Sequence, residues 1–159
     1  MNPASLWQNA LIRVTRRAHK PVVALSLLVL LSACSGNAPD NLGIREGRLA
    51  SCPDSPNCVN SQASDARHAI EPLPLQGTAE QTQAHLKALL SEEPRVNLVE
   101  ETPGYLRAEF TSKLMRFVDD VEFLIGAAAV DVRSASRMGH SDFDVNRERI
   151  EHLRQRLAE

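Results

Sequence analysis

The 159-residue sequence has few aromatic residues, little net charge and no apolar run long enough to cross a bilayer comfortably as a helix. Aromatic residues make up 4% of the chain, and the formal net charge is -2. Nucleic-acid binding depends on a surplus of Lys and Arg that face phosphates, so we expect no nucleic-acid partner. The 43% hydrophobic and 24% charged content are those of a globular chain long enough for one domain.

Residues 1–33 have the order of a lipoprotein signal peptide. Basic residues between positions 13 and 20 precede a short apolar run at 22–31, and Leu-Ser-Ala-Cys ends at Cys34. This ending resembles the bacterial lipobox, in which the Cys receives a diacylglycerol thioether and becomes the mature N-terminus. We expect acyl chains such as palmitate on Cys34 to anchor the protein, because more than one chain holds a protein stably on a membrane. An uncleaved anchor and an ordinary secretory peptide are the alternatives.

The residue after Cys34 predicts which membrane of the envelope holds the protein. Ser35 stands there in place of Asp, which favours the outer membrane in Gram-negative envelopes. Cleavage before Cys34 would remove four of the 18 basic residues and none of the 20 acidic ones. The remaining domain is mildly acidic, so the lipid rather than the surface charge would hold it to the membrane. We expect a protein of the bacterial cell envelope that faces the periplasm.

The other two cysteines predict a disulfide. With Cys34 used for lipid, Cys52 and Cys58 remain as an even pair in an oxidising compartment. A zinc site would need two further ligands, and only His68 lies nearby, so we expect no metal and no cofactor. The stretch 34–50 shows no periodicity and predicts a lipidated N-terminus with a flexible tether, followed by a single domain over 51–159.

Periodicity in the domain predicts the element order β-α-β-β-β-β-α. Strand patterns cover 67–73, 95–101, 105–114, 116–125 and 129–136. Helix patterns cover 78–92 and 141–157, with capping pairs at Thr78 and Gln81 and at Ser141 and Asp144. Strands joined by short turns pair antiparallel, and two amphipathic helices suffice to cover one face. We therefore expect a two-layer α+β domain with an antiparallel sheet of four to five strands and both helices on one face.

The face left uncovered is rich in charges of both signs. It would display Arg107, Glu109, Asp120, Glu122, Asp131, Arg133 and Arg137. One interpretation is a solvated face with cross-strand ion pairs, each worth a few tenths of a kcal/mol. The other is a docking surface for a polar ligand or a protein.

Asp119 breaks the alternation of its strand, because strict alternation places it on the apolar face. A buried carboxylate needs a partner, which Arg133, Arg137 or Arg147 could supply. A β-bulge at Asp119 and Asp120 is the alternative, since it would explain the pair without any function.

The junction of the last strand and the last helix is dense in hydrogen-bonding side chains. These are Ser134, Ser136, Arg137, His140, Ser141, Asp142, Asn146 and Arg147. Such groups at a helix N-terminus could bind an anion or a carboxylate, or they could cap the helix and fix the turn. The run His140-Ser141-Asp142 does not indicate a catalytic triad, because triad members converge from separate segments. The chain also has no G-x-S-x-G motif.

Four separate motifs resemble one known family. They are CPDSPNCV at 52–59, FVDDVEF at 117–123, VRSASR at 132–137, and SD at 141–142 followed by VNR at 145–147. Together they closely resemble the bacterial and plastid family DUF1499, over about residues 52–157. The family has no established activity, so the resemblance implies none. The chain departs from the pattern at His140, where an aromatic is expected, and at Asp144, where Gly is usual.

These observations favour an envelope lipoprotein without catalytic activity, whose domain binds an unknown polar ligand or an envelope protein. Positive charge would come from Arg133, Arg137 and Arg147, orientation from Asp119 and Asp120, and directed hydrogen bonds from Ser134, Ser136 and Asn146. One alternative is an envelope enzyme of hydrolase type with Asp119 or His140 as general base. Another is a purely structural envelope protein, in which the same residues fix the fold.

Overall fold

The computed structural model describes residues 36–159, so the predicted signal peptide and Cys34 lie outside the described residues. Six strands are present there: β1 (Cys58–Asn60), β2 (Leu73–Pro74), β3 (Val96–Thr102), β4 (Tyr105–Thr111), β5 (Val118–Ile125) and β6 (Ala129–Ser136). Two helices accompany them, α1 (Ala79–Glu92) and α2 (Val145–Leu157). The α+β prediction is confirmed, with a strand count slightly above the predicted four to five.

All strands join one antiparallel sheet. The hydrogen-bonded order is β1-β6-β5-β4-β3, and β2 also pairs with β6. The two shortest strands therefore share one edge of β6, with β1 opposite residues 133–135 and β2 opposite residues 129–130. The loop between Cys52 and Cys58, here called the cysteine loop, leads into β1 and therefore lies beside the end of β6.

The two helices begin in different ways. At the start of α1, Thr78 and Gln81 form the predicted capping box. The predicted capping pair of α2 is wrong, because Asp144 is the N-cap in a left-handed backbone conformation and its side chain makes no capping bond. Asp142 takes this role instead, since its Oδ2 accepts a hydrogen bond from the backbone N–H of Asn146 at 2.8 Å.

Both helices pack on one face of the sheet and enclose the core with it. Leu86 and Leu90 of α1 and Ile150 and Leu153 of α2 are buried against residues such as Phe123. Burying side chains of this size stabilises the fold by about 1.5–3 kcal/mol each. Neither helix in residues 36–159 is long and apolar enough to cross a membrane.

The segment 36–50 contacts the sheet on the face that carries no helix, here called the open face. The backbone N–H of Gly43 donates to Glu122 Oε1 at 2.7 Å. Leu49 is buried, and the carbonyl of Ala50 accepts a hydrogen bond from Asn60. The described part of the predicted tether therefore covers polar side chains of β5 and β6.

Candidate functional site

The polar side chains of β5 and β6 divide between the two faces of the sheet. Asp119 lies opposite Ser136, and Asp120 lies opposite Ala135. Side chains alternate along a strand, so neighbours in sequence point to opposite faces. The predicted binding residues therefore form two separate clusters rather than one.

The helix-side cluster comprises Asp119, Ser134, Ser136, Asn146 and Arg149. Asn146 is fully buried, and its side-chain amide donates to Ser136 Oγ at 3.0 Å and to Asp142 Oδ2 at 2.7 Å. The same amide nitrogen also lies 3.0 Å from the backbone carbonyl oxygen of Asn57, while the hydroxyl of Ser134 donates to the side-chain Oδ1 of Asn146. The cluster thus connects the cysteine loop, β6 and α2.

The partner of Asp119 is Arg149, and the prediction of Arg133, Arg137 or Arg147 is wrong. Arg149 donates to Asp119 Oδ2 and also lies over the ring of Phe110, 4.8 Å from its centroid. Arg147 donates instead to the carbonyls of Ala69 and Arg67.

Arg133 and Arg137 cannot serve because they bond to acidic groups of the open face. One sequence signal pointed to Arg149, which follows Asn146 by three positions and so shares its side of the helix.

The alternative of a β-bulge at Asp119 and Asp120 is wrong. The pairing of β5 with β4 and β6 runs without a register shift through both residues. The shift in this sheet lies in β3, between Leu98 and Glu100. Asp119 therefore faces the helices by ordinary alternation, and its burial is compensated by an ion pair.

The open-face cluster comprises Arg107, Glu109, Asp120, Glu122, Arg133 and Arg137. Asp120 accepts two hydrogen bonds from Arg137, with Nε at 2.7 Å and Nη2 at 2.8 Å, and a longer one from Arg107 at 3.3 Å. Arg137 also donates to Glu109. The bonds with Asp120 and Glu109 raise the pKa of the Arg137 guanidinium, so this side chain stays a cation.

Glu122 lies at the centre of the open-face cluster and is fully buried. Its carboxylate accepts hydrogen bonds from Gly43 N–H at 2.7 Å, from the Tyr105 hydroxyl at 2.8 Å and from Arg133 Nη1 at 3.3 Å. Burial, together with the nearby Glu122 charge, raises the pKa of Tyr105. The interpretation as a solvated face is wrong for Asp120, Glu122 and Arg133, which are at most 3% exposed.

Arg133 differs from its neighbours because its Nε has no hydrogen-bond partner. It is the one buried side-chain nitrogen or oxygen in residues 36–159 without one. Arg133 lines a cleft of about 260 Å³ together with Asn41, Cys52, Asp120 and Arg137. A guanidinium edge is a directional donor suited to carboxylates and other oxyanions, which makes Arg133 the candidate ligand-binding residue of this cleft.

The cysteine loop forms one rim of this cleft. Cys52 and Cys58 are joined by a disulfide, as predicted. The side-chain amide of Asn57 donates to the carbonyl of Gly139 at 2.7 Å, and Ser136 N–H donates to the carbonyl of Asn57 at 3.0 Å. The loop is thereby fixed against the end of β6.

A second cleft of about 380 Å³ lies on the helix side. Phe110, Asp119, Glu148, Arg149 and His152 are among its lining residues. His140, the other predicted base, is exposed in the loop before α2. Within the described part of the chain, no group of three or more His, Cys, Asp or Glu side chains is placed to hold a metal ion.

An antiparallel sheet with two helices on one face and a disulfide loop at its edge defines a small α+β domain. The family model DUF1499, described as a protein of unknown function, matches residues 48–157. The chain belongs to this family. No curated protein and no solved structure matches the chain, so its function is argued from the clusters above.

Proposed function

We propose that this protein is a lipid-anchored protein of the bacterial cell envelope that binds a small polar ligand in the open-face cleft. The signal peptide 1–33, acylated Cys34 and domain 51–159 are parts of this proposal, and Ser35 favours the periplasmic side of the outer membrane. The ligand carries a carboxylate or another oxyanion. This proposal narrows the site to Asp120, Arg133 and Arg137 among the residues that the sequence indicated.

The observation that carries the proposal is that Arg133 lines the cleft and that its buried Nε has no hydrogen-bond partner. A buried polar group without a hydrogen bond costs about 1–3 kcal/mol, and more when it is charged. The neighbouring acceptors are already engaged, since Glu122 holds Tyr105 and Gly43 and Asp120 holds Arg137. A ligand acceptor atom that reaches Nε would remove this cost, so the proposed ligand is one that carries an oxyanion.

The charge balance of the cluster determines how a ligand would be selected. The three arginines of the open-face cluster are matched by Glu109, Asp120 and Glu122. The cleft therefore offers little net charge, and selection depends on the direction of the hydrogen bonds rather than on long-range attraction. A nucleic acid does not fit such a site, because its binding requires a cationic surface.

Native mass spectrometry of the full chain tests the proposal. The protein is produced in a bacterium with its signal peptide and extracted from membranes in mild detergent. We expect the mass of the acyl chains on Cys34 and a further bound mass in the parent protein. The Arg133→Lys variant should lose this further mass, because lysine keeps a cation near Glu122 but lacks the guanidinium edge.

Arg107→Lys is the matched control. Arg107 lies on the same face and bonds to the same Asp120, but Arg107 is not among the residues that line the cleft. This variant should keep the bound mass. A parent without any bound mass, or an Arg133→Lys variant that melts like the parent and still carries it, contradicts ligand binding at Arg133.

A hydrolase is the second candidate, and one observation favours it. Asp119 lines the helix-side cleft, where a base could meet a substrate. The ion pair with Arg149 must break before Asp119 can take a proton, which weighs against this role. Loss of a measured hydrolysis of envelope components in Asp119→Asn, with folding retained, would establish the enzyme.

A further inference from the structure

One end of the sheet carries most of the exposed large apolar side chains. The β4–β5 hairpin tip at 112–117 and the β6–α2 loop at 137–144 meet there, since Thr111 pairs with Val118 and Arg137 N–H donates to the carbonyl of Val118. Residues 36–159 expose six large apolar side chains, and five are at this end: Leu114, Met115, Met138, Phe143 and Val145. We call these five residues the apolar end.

Two side chains of the apolar end are almost fully exposed. Leu114 is 87% exposed and Phe143 is 88% exposed. Phe143 also has a φ of 56°, in the left-handed region that an aromatic residue rarely adopts. Such a conformation is retained where the surroundings require it, often for function, and here it holds an aromatic ring away from the core.

Cations flank the apolar tip of the hairpin. Lys113 and Arg116 stand on either side of Leu114 and Met115, and both are exposed. Neither forms a salt bridge with any residue between 36 and 159. Apolar side chains framed by long cationic ones suit the boundary between acyl chains and anionic headgroups, because the aliphatic stems can lie in the apolar layer.

The acidic groups of this end lie in the β6–α2 loop and in the helix-side cleft, where Glu93 and Glu148 line the same cleft as Ser112. Asp142 is engaged at the start of α2, where it accepts from Asn146, and Asp144 is exposed. Arg95 adds an exposed cation at the turn before β3. The hairpin tip itself, residues 112–117, carries two cations and no acidic residue, in contrast to the mildly acidic domain as a whole.

The N-terminal part of the described chain also lies at this end of the sheet. A Cβ placed on Gly36 would lie 3.1 Å from Arg137 Cβ and 3.1 Å from Met138 Cγ, so the segment passes against the β6–α2 loop. Gly36 follows Cys34 by two positions, and an extended chain advances at most about 3.6 Å per residue. Acyl chains on Cys34 would thus enter the membrane beside the apolar end.

We propose that the apolar end docks on the lipid surface in which Cys34 is anchored. Leu114, Met115 and Phe143 enter the interfacial layer, while Lys113 and Arg116 contact anionic headgroups. This inference rests on the proposed lipid anchor. It adds that the domain lies on the membrane in one orientation, rather than hanging from a flexible tether.

Tryptophan reporters test the docking in the full chain. The sequence has a single tryptophan, Trp7, which Trp7→Phe removes in every variant. Leu114→Trp and Phe143→Trp place reporters at the apolar end, and Ala127→Trp places a matched control in the exposed β5–β6 turn at the opposite end of the sheet. The variants are reconstituted in vesicles of phosphatidylethanolamine and phosphatidylglycerol with brominated acyl chains. We expect several-fold stronger quenching at 114 and 143 than at 127.

Equal quenching at all three positions in an acylated protein overturns the docking and leaves a protein partner as the occupant of this end. The mass of the mature chain decides the anchor separately. A chain without acyl groups overturns the anchor, and quenching on addition of vesicles then still decides whether the apolar end enters lipid. Each variant must melt like the parent.

Discussion

The helix side and the open face of β5 and β6 use similar polar residues in different ways. On the helix side, Asn146 and Arg149 bond to serines and a carboxylate within the cluster. On the open face, a comparable network leaves Arg133 Nε without a partner beside a cleft. A polar network whose groups are all paired fixes the fold, whereas a network that leaves a donor unpaired near a cleft can still bind a ligand.

The two networks should therefore respond differently to substitution. Removal of one member from a saturated buried network leaves its partners unpaired and destabilises the fold. Arg133→Lys removes the unpaired donor of the open face but keeps a cation beside the buried Glu122, so it should change ligand retention more than stability.

Asp119→Ala should have the largest effect on stability. The Asp119 and Arg149 side chains are each 11% exposed, so the variant leaves a largely buried guanidinium without its carboxylate. Breaking a buried ion pair in this way costs about 3–5 kcal/mol. We expect a loss near the lower bound in urea denaturation, with the bound mass of the open-face cleft retained.

The double variant Asp119→Leu with Arg149→Met is the control for this prediction. It removes both charges and keeps apolar volume, so it should recover most of the lost stability. A loss of well under about 1 kcal/mol in Asp119→Ala, the range of exposed ion pairs, would show that the helix-side cluster does not hold the fold.

Replacement of both Cys52 and Cys58 by Ser should have the next largest effect. The disulfide joins residues six positions apart, and closing so small a loop stabilises the fold by about 2.5 kcal/mol in the chain-entropy model. Because Cys52 lines the open-face cleft, we also expect weaker retention of the bound mass, unlike in Asp119→Ala. Denaturation with and without reductant measures the loss. A parent whose melting temperature is unchanged by reductant would count against the bond.

Periodicity accounts for the part of the fold that the sequence could predict. Alternation in β4, β5 and β6 and the apolar stripes of α1 and α2 follow directly from periods of two and 3.6 residues. The strand β1 has three residues next to the disulfide loop, too few to show alternation. Alternation also placed Asp119 on the correct face, although the identity of its partner depended on how α2 lies across the sheet.

The burial of the open-face cluster could not be predicted in the same way. Its cover is the segment 36–50, which has no periodicity. The contact with Glu122 is made by the backbone N–H of Gly43, a group that every residue except proline carries and that leaves no signal in a sequence. Single-residue patterns identified the charged face, but not its burial or its cleft.

Substitution of Tyr105 should have the smallest effect on stability. This effect depends on pH and tests the open face alone. Burial and Glu122 raise its pKa above the ordinary value of 10.0. Above that pH the unfolded chain releases this proton while the folded protein keeps it, so the unfolded state binds fewer protons. The stabilisation is therefore complete below pH 10 and is lost as pH rises, by up to about 1.4 kcal/mol per pH unit.

Tyr105→Phe should remove this slope at a cost of about 1 kcal/mol for the lost bond to Glu122 at lower pH. The difference in unfolding free energy between parent and variant is measured by urea denaturation on both sides of pH 10. Both proteins contain the same lysines, which titrate at a similar pH, so this difference reports the tyrosine alone. Tyr105 is the single tyrosine of the chain, so the absorbance of tyrosinate reports its ionisation directly. A folded protein whose tyrosine ionises at pH 10, with parallel stability profiles for both proteins, would show that the open-face cluster is open to solvent.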